Sequence, residues 1–204
     1  MKRKKHIFQS LAPHPFFHKE TIDTESKRFG LSEHSVNAYL KEKSIVRLKR
    51  DFYIYREQFE KNKSDLSYAF YIANNLRSPS YISLESAMQF YGLMTETIAD
   101  VVTSVTTKVT GHYNTKIGKF MYRSIKGSLF DFYETYTKGN YKFLIATTFK
   151  SIFDYLYFFT DGFRKKIDTS IFDILRIDIQ ELSKKDRARF NALLREHTHV
   201  EMRI

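Results

Sequence analysis

The stretch FGLSEHSVNAYLKEKSIVRLKRDFYIY, residues 29–55, changes its hydrophobic period part-way through, and that change constrains the fold more than any other feature of the chain. In its first half Val36, Tyr39 and Leu40 recur at i, i+3 and i+4, the single buried stripe of an amphipathic helix. Gly30 ends whatever precedes it, and Ser32 stands where an N-cap belongs. After Lys43-Ser44 the pattern becomes IVRLKRDFYIY, two β-branched and aromatic runs split by Lys49-Arg50-Asp51. That is a hairpin signal without the usual turn glycine. Upstream, FFHKETIDTESKRFG supplies another helix, with Ile22 and Phe29 as core candidates. Helix, tight turn, second helix and basic hairpin together describe a winged helix-turn-helix over residues 1–60.

Such parts suit the reading of DNA. A second helix can enter the major groove with its N-terminal residues at the base edges, while flanking elements hold phosphates and fix the register. His34, Ser35 and Asn37 lie off the apolar stripe and are the base-edge candidates. Asn suits paired hydrogen bonds to adenine, and Ser can donate or accept with either base class. Lys41, Arg47, Lys49 and Arg50 are the candidates for phosphate or minor-groove contacts. The same residues would also serve as the solvated face of a small helical domain, and helix-turn-helix shapes occur in protein-interaction modules. Those two alternatives stay open at this level.

Charge favours nucleic acid. The chain has 34 Lys and Arg against 23 Asp and Glu, a net charge of +11. Residues 1–63 hold 15 basic and 8 acidic side chains, net +7, leaving 19 and 15, net +4, for residues 64–204. The first third therefore carries most of the excess. KRKK at positions 2–5 adds a basic arm that either lies along a phosphate backbone or simply solubilises the terminus. No cysteine means no disulfide and no thiolate zinc site, in keeping with a reducing cytoplasm. The apolar part of MKRKKHIFQSLAPHPFF is broken by Gln9, Ser10, Pro13 and His14, which argues against an export signal. No apolar run approaches the roughly 18 residues needed to cross a bilayer. A soluble cytoplasmic protein without a membrane partner is expected.

The polar run REQFEKNKSD, residues 56–65, is the expected joint, rich in charge rather than Gly or Pro and so compatible with a helical extension. A mixed α+β second domain is expected over 64–204. Ser64 is placed to cap a helix to about Arg77, with Leu66, Ala69, Phe70 and Ala73 on one face. Ser83 is placed to cap a second, with Leu84, Ala87, Met88 and Tyr91 in its stripe. Val101, Thr103, Val105, Thr107 and Val109 alternate as a half-buried strand should. KIGKFMYRSI and YKFLIATT read as further strands, and TFKSIFDYLYFF as a helix striped by Phe149, Ile152, Phe153 and Leu156. Ser183, with Asp186 three residues on, caps a C-terminal helix.

Catalysis finds little support. Asp178, Glu181 and Lys184, and separately Asp131 and Glu134, have loosely the spacing of a metal-dependent nuclease, but neither set is flanked by the small residues that let a metal and a phosphate approach. His197 and His199 have a spacing too short and a place too near the terminus to argue for a metal. A Gly-rich phosphate loop and a Gly-x-Ser-x-Gly elbow are both missing, so no cofactor and no enzyme activity are expected.

The order of these elements resembles the AbiEi family of antitoxins from type IV toxin-antitoxin, or abortive-infection, systems. The family pattern Y-I-S-x-x-S-A-L-x-x-H-G-L is similar to this chain at Tyr81, Ile82, Ser83, Ser86, Ala87, Gly92 and Leu93, with Met88 for Leu and Tyr91 for His. A later pattern, I-A-x-P-E-K-A-x-x-D-x-L-Y, is matched at Ile145, Ala146, Lys150, Asp154, Leu156 and Tyr157, with Thr148-Phe149 for Pro-Glu and Ser151 for Ala. In the hairpin Asp51 takes the place of the common glycine. The resemblance implies a repressor of its own operon that binds inverted repeats of promoter double-stranded DNA. It also implies a functional partner, a nucleotidyltransferase toxin, countered without a stable complex. A monomer in solution, with two copies meeting on the operator, is the corresponding assembly. The alternative is a stand-alone regulator without a toxin. Lys150 and Asp154, four apart, are expected to form an i, i+4 ion pair rather than to act chemically.

Overall fold

The fold comes from a computed structural model and is described for residues 7, 9–30, 35–94, 100–164 and 169–197. It is mixed α+β, as the sequence patterns require. KRKK at 2–5, the expected N-cap Ser32, His34 and His199 lie outside the described residues.

The N-terminal part is built around a hairpin. Strands β1 (Ile45–Lys49) and β2 (Phe52–Tyr55) pair antiparallel, and Phe17 adds a bridge on the far side of β2 through two backbone bonds with Tyr53, of 2.8 and 2.9 Å. Helix α1 (Lys19–Arg28) follows Phe17, and α2 (Ser35–Lys41) precedes β1. The missing turn glycine is replaced by Asp51, which takes a left-handed φ of 58°, a conformation Asp tolerates better than most residues. Its carboxylate reaches across to accept the Lys19 N–H at 2.7 Å, so the hairpin tip caps α1.

The hairpin has a core on each side. Ile45 and Tyr53 join Ile7, Leu11, Phe17, Ile22 and Tyr39 in a small cluster. Val46, Leu48, Phe52 and Ile54, which point the other way, enter the large core of the rest of the chain. Phe16 stacks on Phe52 at 4.4 Å, and the Tyr68 hydroxyl donates to Pro15 O at 3.1 Å. The joint at 56–65 is a helix, α3 (Arg56–Asn62), running straight on from β2.

Beyond it, α4 (Leu66–Leu76) and α5 (Leu84–Phe90) pack with a six-stranded sheet ordered β5-β6-β4-β3-β8-β7. The strands are β3 (Ser80–Ile82), β4 (Val101–Thr106), β5 (Gly111–Thr115), β6 (Gly118–Ser124), β7 (Tyr133–Lys138) and β8 (Tyr141–Ala146). The β3–β8 and β4–β6 pairs are parallel and the others antiparallel. On one face α4 sets Phe70 against Phe143 at 5.4 Å and accepts the Tyr122 hydroxyl at Ala73 O. On the other face Tyr81 reaches α6 (Thr148–Phe159), which α8 (Lys184–His197) backs; a short α7 (Ser170–Ile174) lies between them in sequence.

Several expectations change with this packing. Asp65, not Ser64, caps α4 by accepting Ser67 N–H at 3.0 Å, and Leu66 is 47% exposed while Tyr68, Ile72 and Leu76 are buried. Strand β4 stops at Thr106 and is covered on both faces, because it is central in the sheet; Val109 lies beyond it, exposed. Edge strands β5 and β7 join the strands expected from sequence.

Candidate nucleic-acid interface

Helix α2 is short, and its orientation is set by Tyr39, which is buried in the small cluster. Asn37, two residues earlier, and Lys41, at the C-terminal end, are exposed. Ser35 begins the helix. Lys43 turns the chain with a φ of 58°, and Ser44 N–H donates back to Tyr39 O at 3.0 Å, which delivers the chain into β1. Arg47 is exposed on β1 and Arg50 at the hairpin tip. Asn37, Lys41, Arg47 and Arg50 therefore ride on consecutive elements of the small N-terminal cluster.

Two further basic residues join this region that sequence reasoning did not single out. Lys43 is exposed beside Lys41, and Arg56 donates from Nε to Lys43 O at 2.6 Å, tying the end of β2 to the end of α2. Their signal in the sequence was only the high local density of basic residues.

Lys49 has a different place. Its ammonium donates to Leu76 O at 2.5 Å and lies 5.5 Å from the Phe52 ring and 6.0 Å from that of Tyr113. Burial lowers its pKa, the nearby charges of Lys108 and Arg77 add to the fall, and Asp51 opposes them. Arg77 is engaged there too, through a hydrogen bond to Val109 O and a guanidinium 5.7 Å from the Tyr122 ring. Lys49 thus fastens the hairpin to the sheet.

The amino end of α1 is unsuited to phosphate. Its first N–H is taken by the Asp51 carboxylate, and Glu20, Glu25 and Asp51 line one shallow concavity with His18. An anion would meet carboxylates there.

Four motif residues of the second part, two from each pattern, converge on one buried point. Asp154 accepts hydrogen bonds from Tyr81 Oη at 2.9 Å, Ser83 Oγ at 2.7 Å and the Lys150 ammonium. Both charged side chains are out of solvent, at 1% and 0% exposure, so the i, i+4 pair is a core pair rather than a surface one. Burial pushes the Asp154 carboxyl above the ordinary carboxylate range, and Lys150, then Ser83 and Tyr81, pull it back. Ser83 spends its hydroxyl here instead of capping α5. Ser86 and Thr103 lock α5 to β4 reciprocally, Ser86 Oγ accepting Thr103 N–H at 2.9 Å and Thr103 Oγ1 accepting Ser86 N–H at 3.1 Å.

Three of the four carboxylates weighed for a nuclease have a hydrogen-bond partner. Asp131 accepts Phe132 N–H, Asp178 accepts Gln180 N–H, and Glu134 faces the Tyr91 hydroxyl at 3.4 Å. Among the described residues no three of His, Asp and Glu gather as metal ligands. Comparison with protein-family models gives no match, and comparison with curated proteins gives none either.

Proposed function

We propose that this chain is a sequence-specific, double-stranded DNA-binding repressor of transcription, with a winged helix-turn-helix as its reading head and no catalytic role. The observation that carries the reading is the exposure of Asn37 and Lys41 on α2 together with Arg47 and Arg50 on the hairpin that follows. In this reading α2 is the recognition helix, β1 and β2 form the wing, and Phe17 completes a three-stranded wing sheet. His34, Ser35 and Asn37 meet base edges; Lys41, Arg47 and Arg50 hold phosphates. The net charge of +11, concentrated in the first third, supplies the long-range attraction.

An autoregulating antitoxin of the AbiEi type, acting against a nucleotidyltransferase toxin in the cytoplasm, is the wider role. Support for it is the meeting of Tyr81, Ser83, Lys150 and Asp154, which come from both resembling motifs, in one buried network. One observation favours a stand-alone regulator instead. Phe149, standing where the family pattern has Glu, is buried against Phe132 at 5.4 Å and offers no charge.

The test is a fluorescence-anisotropy titration of the chain's own upstream DNA against a scrambled duplex at several salt concentrations. Tight, sequence-dependent binding that weakens with salt is expected; equal, weak binding to both duplexes would overturn the reading. Arg50→Ala should weaken binding to all sequences and reduce the salt slope by about 0.9 for each phosphate it no longer neutralises. Lys49→Ala should leave that slope unchanged, because its ammonium is bound to Leu76 O. Asn37→Ala should relax specificity at one position, at about 1–3 kcal/mol.

A further inference from the structure

Of the two edges of the large sheet, one is covered. The β5 edge lies against β1 of the hairpin. Strand β7 forms the other edge, and five of its six residues, Glu134 to Lys138, are exposed. Among the described residues no strand lies beyond β7, and an edge strand of this length presents a row of backbone donors and acceptors to any strand that matches it.

The ladder with β8 tells which groups point outward. Thr135 stands opposite Leu144, and the Leu144 N–H donates to Asn74 Oδ1 at 2.5 Å, away from β7. In an antiparallel ladder both members of such a pair turn their N–H and C=O away from each other. Thr135 therefore aims its backbone groups at the free edge, and by alternation so do Tyr133 and Thr137. Glu134, Tyr136 and Lys138 bond to β8 and place their side chains together on the opposite face from Thr135.

We propose that β7 is the seam of a two-fold dimer, in which β7 of two copies pair antiparallel about Tyr136 and join the sheets edge to edge. Thr135 of each copy exchanges backbone bonds with Thr137 of the other, which satisfies the outward groups just described. Tyr136 then faces Tyr136, Glu134 faces Lys138 of the second copy, and Lys138 faces Glu134. The other alternation-compatible registers nearest to it, shifted by two residues, set Glu134 or Lys138 opposite Tyr136 instead. Only the Tyr136-centred register of the three pairs opposite charges at both ends, and cross-strand pairs of opposite charge favour their register. Glu134 and Lys138 are free to take these partners, since their present ones are an exposed 3.4 Å contact with Tyr91 and an exposed 3.3 Å contact with Asp65. Tyr136, 37% exposed, contributes the apolar centre of the seam. This departs from the monomer expected from sequence, and it does not rest on DNA binding.

Cysteine placement and charge exchange test the seam in the full chain, which has no cysteine of its own. Across the two-fold axis the Tyr136 positions face each other as a close pair with Cβ atoms about 4.5–5.5 Å apart, so Tyr136→Cys should crosslink under mild oxidation and release with reductant. Glu134→Cys should not, because its two copies lie about 13 Å apart in this register. Sedimentation velocity should give the parent a mass that rises with concentration from 24.3 kDa toward twice that value. Glu134→Lys alone and Lys138→Glu alone should be monomers, and their equimolar mixture should dimerise, since each then offers the other two complementary pairs. A monomeric parent at the highest attainable concentration would overturn the seam and leave Glu134 and Lys138 as a solvated guard on the edge. A dimer that survives Glu134→Lys, or crosslinks through Glu134→Cys, would overturn it as well. Circular dichroism of each variant confirms that the exposed substitutions leave the fold intact.

Discussion

Asp154→Asn removes a charge and almost no volume, so its effect isolates what the buried pair contributes. The Lys150 ammonium, whose side chain is 1% exposed, would be left facing an amide in the core. Taking one partner from a buried ion pair costs about 3–5 kcal/mol, because the remaining charge has neither water nor counterion. For a chain of this size each kcal/mol lowers Tm by about 2–4 °C, so the variant should melt about 6–20 °C below the parent. The neighbouring Tyr81 and Ser83 hydroxyls lose a charged acceptor as well, which adds to the loss in the same direction. Urea unfolding followed by far-ultraviolet circular dichroism suits a chain without tryptophan.

The control is Lys150→Met with Asp154→Leu. Replacing a buried pair by apolar groups is often neutral or stabilising by about 1–4 kcal/mol. Against that stand the Tyr81 and Ser83 hydroxyls, left unpaired at about 1–3 kcal/mol each. The opposing contributions are of similar size, so the double variant should lie closer to the parent than Asp154→Asn does. An Asp154→Asn variant within about 1 kcal/mol of the parent would refute the reasoning, since that is the range of an exposed pair. A double variant less stable than the single one would refute it differently, by making the pair itself, rather than its uncompensated remnant, the larger contribution.

The same site has a pH signature. Burial already raises the Asp154 pKa and Lys150 is the chief opposing influence, so Lys150→Met raises it further. A folded-state pKa above the unfolded value of about 3.9 gives stability that is present below the unfolded value and lost as pH rises through the folded one. The deficit of Lys150→Met relative to the parent should therefore grow as pH rises above about 4, the unfolded value, and urea titrations at increasing pH check it. At the hairpin tip, Asp51→Asn should be nearly neutral and Asp51→Gly should lose the α1 cap, about 1 kcal/mol. Asp51→Ala should lose the cap and also strain the left-handed backbone, about 2–3 kcal/mol together, an order that urea midpoints would establish or reject. Gly92, at a φ of 74° after α5, has open space where a Cβ would go, so Gly92→Ala should cost only the backbone strain of about 1–2 kcal/mol. Gly118→Ala should cost more by the same measurement, since its Cβ would sit 2.8 Å from Asp100 O.

Where side-chain pattern reports burial directly, the sequence was a good guide. The stripe Phe149, Ile152, Phe153 and Leu156 is buried throughout α6, and Ser183 caps α8 as expected, its hydroxyl accepting the Asp186 N–H at 3.1 Å and donating to the Asp186 carboxylate at 2.7 Å. The signal fails where burial and period separate. Strand β5, GHYNT, and β7, YETYTK, are polar edge strands without the alternation by which a half-buried strand is recognised. In β4 the polar positions are buried along with the apolar ones, Thr103 bonded to Ser83 O and Thr106 to Pro79 O, so its alternation reads as half-exposed when the strand is central. The spacing of Lys150 and Asp154 announces a pair but cannot say that its helix turns them inward.

In the basic hairpin Arg47, Lys49 and Arg50 look equivalent in the sequence, and packing separates them. Residues two apart in a regular strand share a face, which would set Arg47 and Lys49 side by side toward solvent. The register shift between them breaks that alternation: Arg47 pairs with Tyr53, but Lys49 pairs with Phe52. A bulge of this kind re-aims the side chain beyond it. Arg47 stays exposed on the face that carries Ile45, while Lys49 turns toward Phe52 and Leu76 on the face that joins the large core. The bulge answers to contacts on both sides of the hairpin, with Leu48 and Phe52 buried in one cluster and Tyr53 in the other. One irregular residue thus divides three similar cations into two exposed ones and one that ties the hairpin to the sheet, a division that depends on packing partners at Leu76 and Tyr113 far along the chain.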